Sequence, residues 1–495
     1  MPRNAPLDLP PDEFRRLGHA LVERIATHLE DVAGNPITPG DAPGDIRELI
    51  MQGSLPEKGV DPGTLLEWTS ELLLTHSLFN LHPKFWGYIT GSPAPLGMLG
   101  DLLAATVNPN VGAYVLSPVA TEIEKQTVRW IAEFIGFPAD CGGIMVSGGN
   151  MANMVAFLAA RRARAPWDVR TEGLRGGSAQ LTAYASRETH TWIQKATDLF
   201  GLGLNAIRWI ETDDQQRMNV DALERAIIAD RDAGHAPFIV IGTAGSVSTG
   251  AIDPLGDVAA VCKRHNVWFH VDGAYGAPAA VLPEAPADLK ALSLADSVAV
   301  DPHKWLYAPI EAGCTLVRDA THLADAYSFH PAYYHFSDGG DGEVPTNFHE
   351  LGPQNSRGFR ALKVWLALQQ AGREGYIHMI RDDIAFARAM YRAVEKHPEL
   401  EAFTLGLSIA TFRFVPSDLT LTGADREQYL NELNTGLVTK LQSEGDIFVS
   451  NAVINGSYVL RACIVNFNTE LADVEAVPEL VVTAGRALAA ELQPR

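Results

Sequence analysis

Apolar residues recur every three or four positions near the start of this chain and form short continuous runs further along. Over residues 12–32 the spacing predicts an amphipathic helix, whose apolar face comprises Phe14, Leu17, Leu21, Ile25 and Leu29. More helical pattern follows a proline- and glycine-rich stretch and continues to about residue 83. Because little strand pattern accompanies these helices, we expect this segment to pack on a partner subunit or on the main body of the chain.

From about residue 86 the pattern changes to short β-branched runs that alternate with helical segments. The runs begin at Gly143, Leu181, Ala206, Phe238, Val267 and Ser297, and residues 314–318 have the pattern of a further strand. Continuous apolar strands separated by helices indicate an α/β fold with a mostly parallel sheet that helices cover on both faces.

The remaining sequence predicts a lid and a smaller domain. Residues 337–345 are polar and rich in glycine, which favours a mobile loop. Helices are predicted near 357–372, 380–395, 425–443 and 472–491, with strands near 408–415 and 458–466. We therefore predict an N-terminal helical dimerisation segment (1–85), a large cofactor-binding domain (86–380) and a small C-terminal α/β domain (381–495).

Composition narrows the range of partners and compartments. The 495 residues are 46% hydrophobic and 20% charged, with a formal net charge of −21. This charge argues against nucleic acid and anionic membranes as partners, because binding to either needs a basic face. No apolar run reaches the ~20 residues that a bilayer requires, and the N-terminus lacks the apolar core of a signal peptide. Four cysteines without CxxC or zinc spacing favour reduced thiols in the cytoplasm, and no metal site is predicted.

Lys304 is the residue with the most chemical information. It follows the apolar run that starts at Ser297, so an amine is brought to the end of a buried strand. Lysine is strongly hydrated and rarely occupies such a setting unless its amine is used. The established use is condensation with the aldehyde of pyridoxal 5′-phosphate (PLP). A lysine that caps a strand against solvent is the commoner alternative.

Two further segments favour a cofactor site. Residues 146–153 carry two glycines between a strand and a helix, where backbone N–H groups and the helix dipole favour a phosphate. A plain strand-to-helix turn is the alternative. Asp272 ends a buried strand, where a carboxylate is costly unless paired. A pyridinium N–H would pair with it and keep the ring an electron sink, although an N-cap or an ion pair would also satisfy it.

Two more polar segments follow strands. His190 could stack on a cofactor ring or act as an acid or base, although a lone histidine is more often structural. Residues 245–249 carry small polar side chains that could line a pocket. All of these segments come at the carboxyl ends of predicted strands, where open α/β sheets bind ligands.

Taken in chain order, these segments resemble those of the group II PLP-dependent decarboxylases, most closely the branch that acts on aromatic L-amino acids. The run Asp-Pro-His-Lys-Trp at 301–305 is highly specific to that family, and the likeness extends from His82 to Phe467. The resemblance implies the type I fold of PLP-dependent transferases (aspartate aminotransferase-like), PLP as cofactor, and a homodimer with active sites at its interface. It also implies decarboxylation of an L-amino acid, with an aromatic one favoured, to an amine and CO₂.

The resemblance further implies roles around the cofactor. Lys304 would attach to its aldehyde, and Asp272 would pair with its pyridine nitrogen. His190 would stack on one face of the ring and Ala274 would pack on the other. His303 would adjoin the attachment point and the substrate carboxylate.

The same resemblance implies phosphate contacts and a proton donor. Gly149, Asn150 and Ser297 match phosphate-contacting positions, and Ser246 lies near a position where the family often has threonine. Tyr333 matches a tyrosine that donates a proton to the carbon that has lost CO₂. A phenylalanine there accompanies oxidative deamination in the related aldehyde synthases, since a phenyl ring has no transferable proton.

The substrate pocket departs from the family pattern. Tyr88 matches a substrate-contacting tyrosine, but Ile89 and Ile310 replace aromatic residues. Both remain apolar, so an apolar or aromatic substrate side chain is still favoured. Glu311 could hold a polar or cationic group or simply accept backbone hydrogen bonds.

Several alternative functions share these features. An aromatic aldehyde synthase and a decarboxylase for glutamate or 2,4-diaminobutyrate are the main alternatives. An aminotransferase shares the fold but would need a keto-acid acceptor. A non-catalytic PLP-binding regulator is disfavoured because the chain shows no DNA-binding segment and carries Tyr333.

Overall fold

The computed structural model describes residues 5–50, 53–329 and 345–492. The α-helices are α1 Pro11–Asp31, α2 Pro43–Leu49, α3 Pro62–His76, α4 Pro95–Val107, α5 Pro118–Ile135, α6 Gly149–Arg164, α7 Val169–Glu172, α8 Trp192–Leu199, α9 Val220–Asp232, α10 Leu255–Arg264, α11 Ala287–Lys290, α12 Thr321–Tyr327, α13 Ala361–Glu395, α14 Gly423–Glu444, α15 Leu471–Glu475 and α16 Val477–Glu491. The strands are β1 Gly142–Val146, β2 Leu181–Ser186, β3 Ile207–Ile210, β4 Ala236–Thr243, β5 Trp268–Asp272, β6 Ser297–Val300, β7 Gly313–Val317, β8 Leu400–Gly406, β9 Ile409–Phe414, β10 Ser450–Ile454 and β11 Ser457–Cys463.

A seven-stranded sheet forms the centre of the large domain, in the order β1-β7-β6-β5-β4-β2-β3. The pairs within β2 to β6 are parallel, whereas β7 is antiparallel to both β1 and β6. The predicted mostly parallel sheet is therefore confirmed. The direction of β7 follows from its connection: residues 301–312 contain no helix, and parallel neighbours need a crossover that is usually helical.

Both faces of this sheet are buried, which explains its continuous apolar strands. In β4, Ile239 and Ile241 belong to the apolar layer that contains α6, whereas Val240 between them belongs to the opposite layer with α10. Each strand therefore needs apolar side chains at successive positions and shows no alternation with polar residues.

A second sheet, antiparallel and in the order β10-β11-β9-β8, forms the core of the C-terminal part with α14 and α16. The predicted strands near 408–415 and 458–466 correspond to β9 and β11, but β8 and β10 were missed. These two lie at the edges of the sheet. Their side chains are partly exposed, so neither forms a continuous apolar run.

The helices predicted near 357–372 and 380–395 form one helical run, α13, that is interrupted at Gly372. This residue has φ +61° and ψ 173°, a conformation that glycine adopts without steric cost. Helix α13 contacts α4 and α5 as well as β8 and β9, so it connects the helices of the large domain with the second sheet. The proposed boundary at residue 380 falls inside this helix and remains a prediction.

Two further features concern membrane crossing and the cysteines. In the described part of the chain, no helix combines the length and apolar composition needed to cross a membrane. The four cysteines are unpaired thiols, and three of them (Cys262, Cys314 and Cys463) are buried.

A buried ion pair ties several of these segments together. Arg357, just before α13, pairs with Glu124 of α5, and both side chains are almost fully buried. Arg357 also donates to the carbonyl oxygens of Val111 and Met145, while Glu124 accepts from the Met145 backbone N–H. The pair therefore joins β1, α5 and the segment that leads into α13.

Replacing Arg357 with methionine should lower the free energy of unfolding by about 3–5 kcal/mol, because the Glu124 carboxylate would stay buried without its cation. Denaturant unfolding followed by circular dichroism measures the change. Arg129→Met is the matched control, since Arg129 pairs with Glu133 on the exposed surface of α5. That variant should change stability by less than about 0.5 kcal/mol. Equal effects of the two substitutions would contradict the assignment.

Candidate active site

A cavity of about 350 Å³ opens at the carboxyl ends of the central strands, a volume in the range of small-molecule sites. Eight of the residues predicted from sequence line it: Ile89, Gly149, Asn150, His190, Asp272, Ala274, His303 and Lys304. Parallel strands end at the same edge of a sheet, so side chains that are far apart in sequence meet there.

Lys304 enters the cavity from a turn that follows β6. Its Nζ lies 3.0 Å from Oδ2 of Asp301, which is 2% exposed. Burial opposes the charged amine, but the carboxylates of Asp301 and Asp272 outweigh it and raise the pKa of Lys304 above its ordinary value. In the protein alone, the ammonium form of Lys304 is therefore favoured, and it pairs with Asp301.

Asp272 ends β5, and both of its carboxylate oxygens accept hydrogen bonds from the protein. Oδ2 accepts from the indole N–H of Trp192 at 2.8 Å, and Oδ1 accepts from the backbone N–H of Ala274 at 3.2 Å. The carboxylate is buried but lines the cavity. Each oxygen has a second lone pair, so the carboxylate can still accept a proton donor from the cavity.

His190 follows β2 and its ring is open to the cavity. The backbone N–H of Trp192 lies 3.3 Å from His190 Nδ1 and donates to it. Loss of solvation lowers the pKa of His190 below its ordinary value, opposed by the nearby Asp272 carboxylate. A neutral imidazole is therefore favoured, with its proton on Nε2.

A glycine turn joins β1 to α6 at the same edge. Gly148 has φ +150°, a value that L side chains rarely adopt, and a Cβ on Gly149 would lie 2.6 Å from Asp301 Oδ2. The backbone therefore approaches the cavity closely at both positions. The first N–H groups of α6 lack intrahelical partners, so they are available to an anion there.

The donor set of the cavity fits PLP. Thr243 and Asp301 line the cavity, and the Thr243 hydroxyl and Asp301 Oδ1 are buried with no hydrogen-bond partner among the described residues. Such atoms in a native structure indicate a polar ligand or water that completes the site. An amine, a buried carboxylate, an open imidazole and a helix N-terminus match the aldehyde, ring nitrogen, ring face and phosphate of this cofactor.

His303 lies beside Lys304 on the turn after β6. Its Nδ1 is 2.7 Å from the carbonyl oxygen of Ala312, and its Nε2 is 3.7 Å from Asp301 Oδ2. Burial lowers the pKa of His303, opposed by Asp301. The ring is therefore anchored at Nδ1, and the residue lines the cavity.

Ser297 does not lie at the cavity, which argues against its predicted phosphate contact. It stands at the start of β6, four residues before Asp301 and so ~13 Å away along an extended strand. Its hydroxyl contacts the Trp268 indole N–H and His270 Nδ1. Ser246 is also buried and bonded to Thr249, although its neighbours Gly245 and Val247 line the cavity.

Only some of the predicted substrate residues line the cavity. Ile89 lines it, whereas Tyr88 and Ile310 are 57% and 63% exposed. Ile310 lines a second cavity with Glu311, whose carboxylate accepts from Arg360 Nε at 2.9 Å. Tyr333 and most of the predicted lid lie outside the described residues.

Three cavity or contact residues were missed in the sequence. Asp301 belongs to the motif that carries Lys304, and its contact with the Lys304 amine is visible only in the structure. Thr243 ends β4 at the same edge as Asp272, and strand-end position was the signal available for it. Trp192 gave no such signal, because its contact with Asp272 depends on how β2 and β5 are arranged in space.

Comparison with known proteins identifies the family. The model of the pyridoxal-dependent decarboxylase conserved domain matches residues 43–414. The chain belongs to this family. Its cofactor is PLP, its activity is that of a PLP-dependent carboxy-lyase acting on an amino acid, and the predicted type I fold is confirmed.

Individual relatives match this decarboxylase over most of its length. An aromatic-L-amino-acid decarboxylase of Bacillus atrophaeus is 34% identical over 465 residues, which cover 94% of this chain and 93% of that protein. A phenylacetaldehyde synthase of a Rosa hybrid cultivar is 28% identical, with 92% and 90% covered. The crystal structure of Oryza sativa TDC with PLP and tryptamine has a TM-score of 0.89 at 27% identity and covers 98% of this chain and all of that one.

Replacing Lys304 with alanine should abolish covalent retention of PLP by this decarboxylase, because Lys304 is the amine that the cavity offers to the aldehyde. Borohydride reduction of the PLP-loaded protein, followed by peptide mass spectrometry, should find the cofactor on the peptide that contains Lys304. Lys195→Ala, which removes an exposed lysine on α8, should leave that result unchanged. Cofactor attached to another lysine of the unaltered protein would contradict the assignment.

Proposed function

We propose that this decarboxylase converts an L-amino acid with an aromatic or large apolar side chain to the corresponding amine and CO₂. The observation that carries the proposal is the meeting of the Lys304 amine and the Asp272 carboxylate in one cavity. The likeness to an aromatic-L-amino-acid decarboxylase over nearly the full chain supports the aromatic class of substrate.

Five residues would hold the cofactor. Lys304 would attach to the aldehyde, Asp272 would accept the ring N–H, and His190 and Ala274 would contact opposite faces of the ring. The N-terminus of α6, with Gly149, would bind the phosphate. Bound PLP supplies an electron sink for the pair left behind when the bond between Cα and the carboxylate breaks.

The protein's own groups would handle protons and exclude water. Asp272, held by two hydrogen bonds, would place its carboxylate beside the ring nitrogen and so favour the protonated form of the ring. His303, anchored on Ala312, would border the substrate carboxylate. Tyr333 would donate the proton that replaces CO₂, and closure of the 337–345 loop would exclude water.

The substrate side of the cavity favours an uncharged side chain. Ile89 and Val247 contribute apolar surface there. Glu311 is paired with Arg360, so its charge is already balanced. Glu311 also lines the second cavity and not the one that contains Lys304, so it offers a cationic substrate such as 2,4-diaminobutyrate no free partner there.

An aldehyde synthase is the second candidate, favoured by the likeness to a phenylacetaldehyde synthase over 92% of the chain. The presence of Tyr333 weighs against it, because the phenol can protonate the carbon that loses CO₂ before oxygen reacts there. The two functions share substrate and cofactor, so only their products separate them.

We also propose a homodimer with active sites at its interface, located in the cytoplasm. Helix α4 packs on α13 and on Pro309 through Gly97 and Gly100, while Leu99, Leu102 and Leu103 on its other side are more than half exposed. An apolar surface of this kind marks an interaction site. Unpaired thiols are in keeping with a reducing compartment.

The PLP-loaded protein should release CO₂ fastest from one of phenylalanine, tyrosine, dopa and tryptophan. Histidine, glutamate and 2,4-diaminobutyrate complete the panel and should react at least about 100-fold more slowly, since their polar groups would be buried unpaired. Chromatography of products should find the amine in equal amount to CO₂. Aldehyde with peroxide and ammonia would instead establish the synthase, and preference for a charged substrate would overturn the aromatic assignment.

Replacing Tyr333 with phenylalanine should shift the products from amine towards aldehyde and peroxide, because the variant lacks the transferable phenolic proton. Tyr334→Phe is the matched control, since it removes the neighbouring phenol. If Tyr334→Phe shifts the products and Tyr333→Phe does not, the role belongs to the neighbouring tyrosine.

Light scattering after size exclusion should give about twice the 53.6 kDa chain mass. Leu102→Glu should weaken the dimer, because it would bury a charge in the proposed apolar interface. Leu204→Glu, which alters an exposed leucine remote from α4, should not. A stable and active monomer would contradict the proposal.

A further inference from the structure

Trp192, the first residue of α8, contacts Asp272 and His190. Under the proposed function, both of these side chains would contact the cofactor ring. Its indole Nε1–H donates to Asp272 Oδ2 at 2.8 Å, and its backbone N–H donates to His190 Nδ1 at 3.3 Å. The side chain is fully buried and does not itself line the cavity. Trp192 therefore links Asp272 and His190 without itself lining the cavity.

We propose that Trp192 is a positioning residue that orients the Asp272 carboxylate and the His190 ring for the cofactor. The inference rests on the roles proposed above for Asp272 and His190. It assigns to Trp192 no contact with substrate or cofactor.

The indole suits this task because it can only donate. An indole N–H offers a hydrogen-bond donor and no acceptor, so it supports an ionised carboxylate and takes no proton from it. The Trp192 ring meets Phe157 at 83° and His270 at 86°, both in edge-on contacts that fix its plane. A rigid donor thus fixes the direction of one Asp272 oxygen, and the Ala274 backbone N–H fixes the other.

The backbone contact acts on the imidazole. Because the Trp192 N–H donates to Nδ1, the neutral His190 ring carries its proton on Nε2. The position of Trp192 therefore determines both the tautomer and the tilt of the ring that would stack on the cofactor. Residues that orient contacting groups in this way commonly affect affinity as much as the contacts themselves.

Trp192→Phe should raise the dissociation constant of PLP for the apoprotein by about ten-fold or more, since one charge-assisted hydrogen bond to Asp272 is lost. Phenylalanine keeps the backbone N–H, so the contact to His190 persists and the variant isolates the indole bond. Equilibrium dialysis with PLP alone measures the affinity. On the best substrate, kcat should fall while KM stays within about two-fold.

Trp268→Phe is the matched control. Trp268 is also a buried tryptophan, and its indole N–H donates to the Ser297 hydroxyl at 2.8 Å, away from the cavity. This variant should lose thermal stability as Trp192→Phe does but keep its PLP affinity within about two-fold. Equal loss of PLP affinity in the two variants would mean that Trp192 only packs the core.

A double-substitution cycle tests whether Trp192 acts through Asp272. In an Asp272→Ala background, Trp192→Phe should weaken PLP binding by less than about two-fold, because its target is gone. A full additional loss would overturn the proposal. If Asp272→Ala alone binds PLP normally, the proposed role of Asp272 fails, whereas a wrong substrate class leaves all of these affinities unchanged.

Fluorine NMR of protein labelled with 5-fluorotryptophan covers the case in which Trp192→Phe does not fold. Asp272→Ala should shift one tryptophan resonance other than the one that Trp268→Phe removes, and PLP should shift that same resonance in the unaltered apoprotein. If Asp272→Ala moves no tryptophan resonance, the indole bond to Asp272 is absent and the proposal is wrong.

Discussion

The organisation of this site depends on the burial of one ammonium group among carboxylates. Lys304 Nζ sits against Asp301, and Asp272 lies close enough to influence its charge. Buried charges are costly unless they are paired, so the three groups must be held together by the fold. The sheet does this through its register: Asp272 of β5 pairs with Ala299 of β6, two residues before Asp301. Any change in that register would separate the amine from its acids.

Local pattern explains why much of this site could be predicted from sequence. A residue at or just after the end of a buried strand emerges at one edge of the sheet, so Asp272, His190 and Lys304 are expected there together if their strands run parallel in one sheet. The phosphate contact of Ser297 remains a prediction, and the geometry of its strand weighs against it. It was carried by resemblance of position, and a residue at the start of a strand cannot reach a site at the strand's end. Position at the end of a strand therefore correctly placed residues at the cavity, whereas the family position of Ser297 did not.

Contacts between distant segments were beyond sequence reasoning. The Trp192 bond to Asp272 joins residues 80 positions apart and exists because β4 alone separates β2 from β5 in the sheet. The pair of Arg357 and Glu124 likewise depends on α5 and β1 being neighbours. The edge strands β8 and β10 escaped prediction because partial exposure removes the pattern on which prediction relies.

The exposure of two predicted substrate residues has a physical explanation in the surface beside the site. Tyr88 and Ile310 match substrate positions by resemblance, yet both are more than half exposed in a single chain. Ile310 shares its cavity with Ala104 and Ala105 of α4, the helix whose leucines are uncovered. Docking of a second copy of the chain on α4 would bury those leucines, and it would also enclose the exposed Ile310 beside them. In the proposed dimer, the same apolar surface would support both dimerisation and substrate binding, so a substitution that weakens one is expected to weaken the other.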